Sequence, residues 1–395
     1  MTVMPKIKPS ECFSYLDFMV GIRRCKVWFH GPSGVGKTQI QEAWLKYRAE
    51  QLGLIYFKPT FDPETGGLTT IPEGADPKDY FGDCELRAIL MDVLDIKGAA
   101  YLDKEENITR FLAPSILPNV HRHGWYGTMR LDEIAQAFPA VSNAFTQLFD
   151  TNKIGDSYVF PPDWNIIATG NRKEDNAATQ KAGAHVYQRF DHVEITPNVD
   201  DLARYLRRRG GDQRVSSFVA HNAELLHQYK RGDIVFPTPR KWEEVALTAE
   251  AAQKAGLSKS MTQLMIASHV GTGPAATIVG FFDICDQLIS YEQVIDAPNT
   301  APTPDQQGAG GTAGIYAMMN LLTRKVQEKD MDAVMVYIDR LPPLFQSTFM
   351  LDIMDLSENE IAKAKKDPAT PVQYRFLMQC QAVTIWRKNH PQTAV

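Results

Sequence analysis

Residues Lys26–His30 read KVWFH, a β-rich run that enters a glycine loop and then a stretch of alternating apolar and polar positions, Gln39–Gln51. The pattern predicts strand, loop and helix in succession. A second strand is predicted at Leu54–Pro59, after Gly53, whereas Asp62–Asp76 is crowded with Pro, Gly and Thr and reads as an irregular insertion. Met129–Leu131 runs into acidic residues, and Trp164–Thr169 (WNIIAT) is a short apolar run of the buried parallel kind. Strands alternating with helical stretches across 20–196 predict an α/β unit with a mainly parallel sheet. Thr151–Pro161 (TNKIGDSYVFP) has a turn between β-prone pieces and predicts a projecting hairpin.

Beyond Val199 the spacing becomes helical, at Asp200–Arg209, Ser216–Tyr229, Pro239–Ala255 and Lys259–His269. Leu264–Ile284 is apolar enough to suggest a membrane span, but His269, Gly271, Gly273 and Pro274 break it into two core helices. Asp296–Gly314 is rich in Pro, Gly, Ala and Thr and reads as a linker. Helix-like stretches follow at Tyr316–Lys329, Met331–Asp339, Leu344–Met354 and Pro371–Lys388. The expected organisation is an α/β domain at 1–198, a helical domain at 199–295, and a linker with a helical extension at 296–395.

Composition narrows the class without naming a function. The 395 residues are 44% hydrophobic and 23% charged, which describes a folded globular chain. A formal charge of −5 gives no bulk electrostatic reason to bind nucleic acid or an anionic membrane. The five cysteines lie far apart in sequence, so neither a disulfide framework nor a CxxC zinc site is expected. His121-Arg-His123 lacks further ligands at metal spacing. The first residues lack a secretory apolar stretch, so a cytoplasmic location is expected.

The chemistry begins at Gly31-Pro32-Ser33-Gly34-Val35-Gly36-Lys37-Thr38, a full match to G-x-x-x-x-G-K-[ST] between a strand and a helix. Its glycines let backbone N–H groups turn toward phosphates, and the helix N-terminus adds a favourable dipole. Lys37 is expected to neutralise β/γ-phosphate charge, Thr38 to offer a hydroxyl to Mg²⁺, and Gln39 to complete the nucleotide-binding set. Asp132 is then expected to hold Mg²⁺ and Glu133 to polarise the attacking water. Asn171, ending the apolar strand, can hydrogen-bond the γ-phosphate or that water, or serve as an ordinary turn residue.

The loop at 31–38, LDEIAQA at 131–137, KIGDSYVFPPDW at 153–164, ATGN at 168–171, QRFD at 188–191 and TPRKW at 238–242 occur in a familiar order. The chain resembles AAA+ ATPases, most closely the MoxR-like, dynein-related branch with a helix-2 insertion. The resemblance implies a P-loop AAA+ core with a helical lid and an insertion at about 60–117. With the hairpin at about 151–162, that insertion would face a pore or partner. It implies Asn171 as first sensor, Arg189 as the arginine finger for a neighbouring subunit, and Arg240 as second sensor. ATP as nucleotide, a hexameric ring and a protein partner, in some relatives a separate von Willebrand factor A chain, are also implied.

Other residues leave the choice open. Tyr80, Phe81 and Trp125 are either gripping residues or packing aromatics, and Arg172 is a second intersubunit candidate. Arg207-Arg-Arg is either a solvated helix end or a nucleic-acid contact. The alternatives to a protein-remodelling ATPase are a nucleic-acid-stimulated motor and a slow nucleotide-gated scaffold.

Overall fold

The computed structural model describes residues 4–172, 183–230, 232–304, 311–366, 377 and 380–389. The chain forms two compact units, Met1–Pro197 and Asn198–Val395. The first is built on seven strands, numbered along the chain as β1 (Lys6–Ile7), β2 (Val27–Gly31), β3 (Ile55–Phe57), β4 (Tyr80–Arg87), β5 (Tyr126–Asp132), β6 (Trp164–Asn171) and β7 (Asp191–Ile195). They make one sheet in the order β1-β7-β2-β6-β5-β4-β3, with every neighbouring pair parallel. The expected α/β P-loop core with a parallel sheet, followed by helices, is what the structure has.

A parallel strand buried on both faces needs apolar residues at consecutive positions. β2 is such a strand. Val27 and Phe29 pack against Trp44 and Leu45 of the helix Lys37–Gln51, whereas Trp28 faces the opposite layer with Met129, Leu131, Ile166 and Phe145. On β6, Ile166 and Ala168 join the second layer and Ile167 the first. The helix is held to the N-terminal segment by Trp44 Nε1, which donates to Asp17 Oδ1 at 2.8 Å.

The region at 60–117 differs from a pure insertion. It carries two small antiparallel hairpins, Phe61–Asp62 with Gly67–Leu68 and Ala100–Asp103 with Ile108–Phe111. Between them, however, β4 joins the main sheet and pairs with β5 along its length, from Phe81↔Tyr126 to Arg87↔Asp132. Its sequence, YFGDCELR, hides a strand because Asp83 and Glu85 interrupt the apolar pattern. Phe81 is core, Tyr80 is partly buried edge-on to Phe57, and Trp125 donates its Nε1–H to Asp163 at 3.0 Å. The hairpin Lys153–Ile154 with Tyr158–Val159 forms, but Ile154 and Tyr158 are core residues and only Val159 of these three is exposed. Tyr158 Oη donates to Pro118 O at 2.8 Å, so the hairpin is pinned rather than free-standing.

The charges of β4 are consumed within the sheet. Arg130 on β5 is 1% exposed and Asp83 0%. They form a fork, Nε to Oδ1 at 2.7 Å and Nη2 to Oδ2 at 2.9 Å. Arg130 also donates to Glu85 at 3.1 Å, Glu85 pairs with Lys58 at 2.9 Å, and Lys58 with Glu42 of the helix at 2.8 Å. Tyr56 on β3 donates to Asp83 at 2.5 Å. Hydrogen bonds from Lys46, then from Lys58, hold the Glu42 carboxyl down at about 2. The network ties β3, β4, β5 and the helix together.

The second unit is helical, as its spacing predicts. Helices Val199–Arg209, Arg214–His221, Pro239–Lys254, Lys259–Val270 and Thr272–Gln287 share one core around Phe218, Trp242 and Ile278. The apolar stretch does turn into two helices at Gly271, and Pro274 is accepted inside the first turn of the second. The predicted helix Ser216–Tyr229 ends early, at His221, where Asn222 leaves helical backbone angles and its Nδ2 donates to Phe218 O at 2.9 Å. Helices Thr312–Lys325, Met331–Ile338, Pro343–Lys366 and Gln381–Asn389 build a second core around Met318, Tyr337 and Phe349. Residues 305–310 of the predicted linker, and 371–376, 378 and 379 of the predicted last helix, lie outside the described residues. Among the described residues, no helix is long and apolar enough to cross a membrane.

Removing one partner of a buried ion pair leaves the other unpaired in a low-dielectric interior. Asp83→Ala is therefore expected to destabilise the fold by about 3–5 kcal/mol, read as a lower denaturation midpoint. An unchanged midpoint would show that the fork contributes no stability.

Candidate functional site

The parallel register assembles the site. β6 lies between β2 and β5, with Asn171 opposite Gly31 and Ala168 opposite Leu131. The C-terminal ends of three strands therefore deliver the glycine loop, the two acids and the amide to one edge, the edge where open α/β sheets bind ligands.

The loop leaves β2 at Gly31, where a Cβ would stand 2.7 Å from the Ile195 carbonyl, so a side chain has no room. Val35 is buried in the core and anchors the loop, while Ser33 and Gln39 lie nearer the surface. Gly36 has φ 92° and caps the helix that begins at Lys37, a left-handed geometry open to glycine at little cost. Lys37 reaches back across the loop: its Nζ donates to Gly31 O at 2.9 Å, Pro32 O at 3.0 Å and Asn171 Oδ1 at 2.9 Å. An ammonium has three donors, and these contacts hold it at the loop between β2 and β6.

Thr38, one residue on, donates to Asp132 Oδ2 at 3.4 Å. Thr169 on β6 donates to the other oxygen, Asp132 Oδ1. The same hydroxyl accepts from the backbone N–H of Glu133 at 3.3 Å. Glu133 itself has φ 56°, left-handed backbone for a residue with a Cβ, and such strain concentrates at functional sites. Within the ATGN segment the sequence gives a role to Asn171 alone, since the hydroxyl of Thr169 inside an apolar strand looks like a tolerated β-former. Only the strand order reveals that it lies beside Asp132.

Oxygen donors from one carboxylate and one hydroxyl, with phosphate oxygens and water completing the shell, suit Mg²⁺. The approach of Thr38 Oγ1 to Asp132 Oδ2 puts that pair in place. Among the described residues, no cluster of His, Cys, Asp and Glu forms a self-contained metal site.

The arginines are placed separately. Arg189 lies in the turn that leads into β7, whose first residue Asp191 is in register with Val27 at the start of β2, whereas the glycine loop leaves β2 at its other end, Gly31. Arg189 is thus at the opposite edge of the sheet from its own glycine loop. It makes a fork with Asp150, Nε to Oδ1 and Nη2 to Oδ2 both at 2.5 Å, and donates also to His185 O. This hydrogen bonding holds the Asp150 carboxyl below its usual range. Arg172 donates to Glu194 at 3.2 Å. Arg240 is exposed at the second position of the helix Pro239–Lys254, in the second unit.

No family model and no curated protein matches the chain. Among solved structures it is similar to NtrX from Brucella abortus in complex with ADP, at 14% identity and a TM-score of 0.33, over 98% of this chain and 68% of that one. The same protein in complex with ATP gives 13% and 0.32, over 85% and 66%. A single-substitution form of Thermotoga maritima RuvB gives 13% and 0.35, over 74% of each chain. Likenesses this slight carry no weight for function, which is read from the sheet order and the side chains.

Gly170 separates Thr169 from Asn171, and a Cβ there would stand 2.9 Å from Trp28 Nε1 and 3.3 Å from Ala135 Cβ. Trp28 is fully buried and stacked on Tyr187 and His30, so it has little freedom to yield. Gly170→Ala is expected to cost about 1–3 kcal/mol of stability by overpacking. A melting temperature equal to that of the unaltered chain would refute the tight contact.

Proposed function

We propose that this chain is a MoxR-like AAA+ ATPase that hydrolyses Mg²⁺-ATP between subunits of a ring, a hexamer, and uses the cycle to remodel a protein partner. The observation that carries it is the convergence of Lys37, Thr38, Asp132, Glu133 and Asn171 on one sheet edge through three adjacent parallel strands.

The loop N–H groups and Lys37 hold the phosphates, and adenine is taken from the resemblance because the loop reads phosphate alone. Thr38 and Asp132 would hold the Mg²⁺ ion, which would supply Lewis-acid stabilisation of phosphate charge. Glu133, the next carboxylate along, orients and polarises the attacking water. Asn171 gives Oδ1 to Lys37, and its amide N–H groups serve a phosphate oxygen or that water. Arg189 precedes the start of β7, at the end of the strands away from its own loop, which supports its service to a neighbour, where a guanidinium stabilises charge spreading over the phosphoryl oxygens. The helices of 199–295 act as lid, with Arg240 as second sensor, and those of 296–395 as an added extension.

The basic run weighs against the nucleic-acid alternative. Arg207 pairs with Asp352 at 2.7 Å, Arg209 with Glu243 at 2.9 Å, and Arg214 with Asp212 at 2.7 Å. These charges are met within the second unit rather than presented as a stripe for phosphates.

Complementation tests the proposal. Glu133→Gln and Arg189→Ala chains are each expected to bind ATP but to lose hydrolysis by at least about a hundredfold. Mixed together they should regain part of it, because some junctions then join an intact Glu133 to a neighbour's intact Arg189. Mixtures no more active than their components, or a monomer with full hydrolysis, would sink the intersubunit mechanism.

A further inference from the structure

Both acids at the end of β5 rest on Thr169, a residue to which the sequence assigns no role. Thr169 is 2% exposed, on the strand between the glycine loop and the acids. The direction of its two hydrogen bonds is forced. An ionised carboxylate only accepts and a backbone N–H only donates, so the hydroxyl proton goes to Asp132 Oδ1 and a lone pair receives the Glu133 N–H. With Oδ1 committed to Thr169, Oδ2 is the oxygen that faces Thr38. The bond to Glu133 ties down a residue whose left-handed backbone, φ 56°, would otherwise relax at some gain.

We infer that Thr169 is a positioning residue of this site: its hydroxyl turns the Asp132 carboxylate toward Thr38 and pins the turn from which Glu133 presents its own. The inference rests on the proposed ATPase function and deepens it. Valine has the shape of threonine but neither donates nor accepts, so Thr169→Val removes both bonds while the strand keeps its volume.

The test uses the full chain as wild type and as Thr169→Val, Thr169→Ala and Thr169→Ser. Phosphate release is normalised to sites titrated with the fluorescent analogue mant-ATP, and thermal unfolding is followed in parallel. In the Val and Ala chains, kcat per titrated site should fall about a hundredfold, the scale of an ångström-level misplacement. Metal-free mant-ATP affinity should stay close to wild type because Lys37 and the loop are untouched, while the Mg²⁺ needed to tighten mant-ATP binding should rise. Thr169→Ser should retain most of the rate.

A merely structural threonine would instead lower the melting temperature and the number of sites, with kcat per site unchanged, and that result overturns the inference. So does a Ser chain as impaired as Val. If Val and Ala do not fold, Thr169→Cys takes their place, and a kcat per site equal to that of Ser would overturn it. Wild-type chain that binds mant-ATP and releases no phosphate defeats the ATPase proposal instead, and the Mg²⁺ dependence of mant-ATP binding then decides the role of Thr169 alone.

Discussion

The strand order β2-β6-β5 is the constraint on which the rest of the site depends. Because the strands are parallel and in fixed register, their ends lie at one edge, and the central strand touches both neighbours at once. Asn171 thereby reaches Lys37, and Thr169, two residues earlier on the same face of the pleat, reaches Asp132. One strand thus serves the glycine-loop and the acidic halves together. A slip of a single residue would turn both side chains to the other face and disconnect the halves.

That register is protected beneath the site by charge rather than by oil. Arg130 lies two residues before Asp132 and is locked to Asp83 and Glu85 of the adjacent strand. Buried ion pairs are poor sources of net stability, yet any misaligned pairing leaves a charge without a partner. A slipped β4 would do so for both Arg130 and Asp83. The Glu42–Lys58–Glu85 chain extends the same restriction to the helix that follows the glycine loop.

What is legible in the sequence has local causes. Glycines 31, 34 and 36 followed by Lys37 and Thr38 announce their backbone geometry by spacing alone, and Trp164–Thr169 announces a buried strand by its apolar run. Alternating strands and helices point to the parallel sheet, and helical spacing points to the second unit. What stays hidden depends on partners distant in sequence. β4 escapes notice because Asp83 and Glu85 look like solvent-facing residues until Arg130 is placed beside them. Thr169 escapes notice because its worth lies in the neighbouring strand, and the anchoring of the hairpin because Tyr158 is tied to Pro118, 40 residues away. The ion pair of Arg189 with Asp150 likewise joins residues 39 apart.

Glu133 holds a tension of its own. Its turn is one that glycine or asparagine enters readily, as Asn107 and Asn152 do elsewhere in the chain, whereas a glutamate at φ 56° carries about 1 kcal/mol or more of backbone strain. Thermal robustness and chemistry therefore ask for different residues at this one position. Sequence changes selected only for a hardier fold would converge on it early, and the chain would keep its shape and its glycine loop while losing the carboxylate beside that loop.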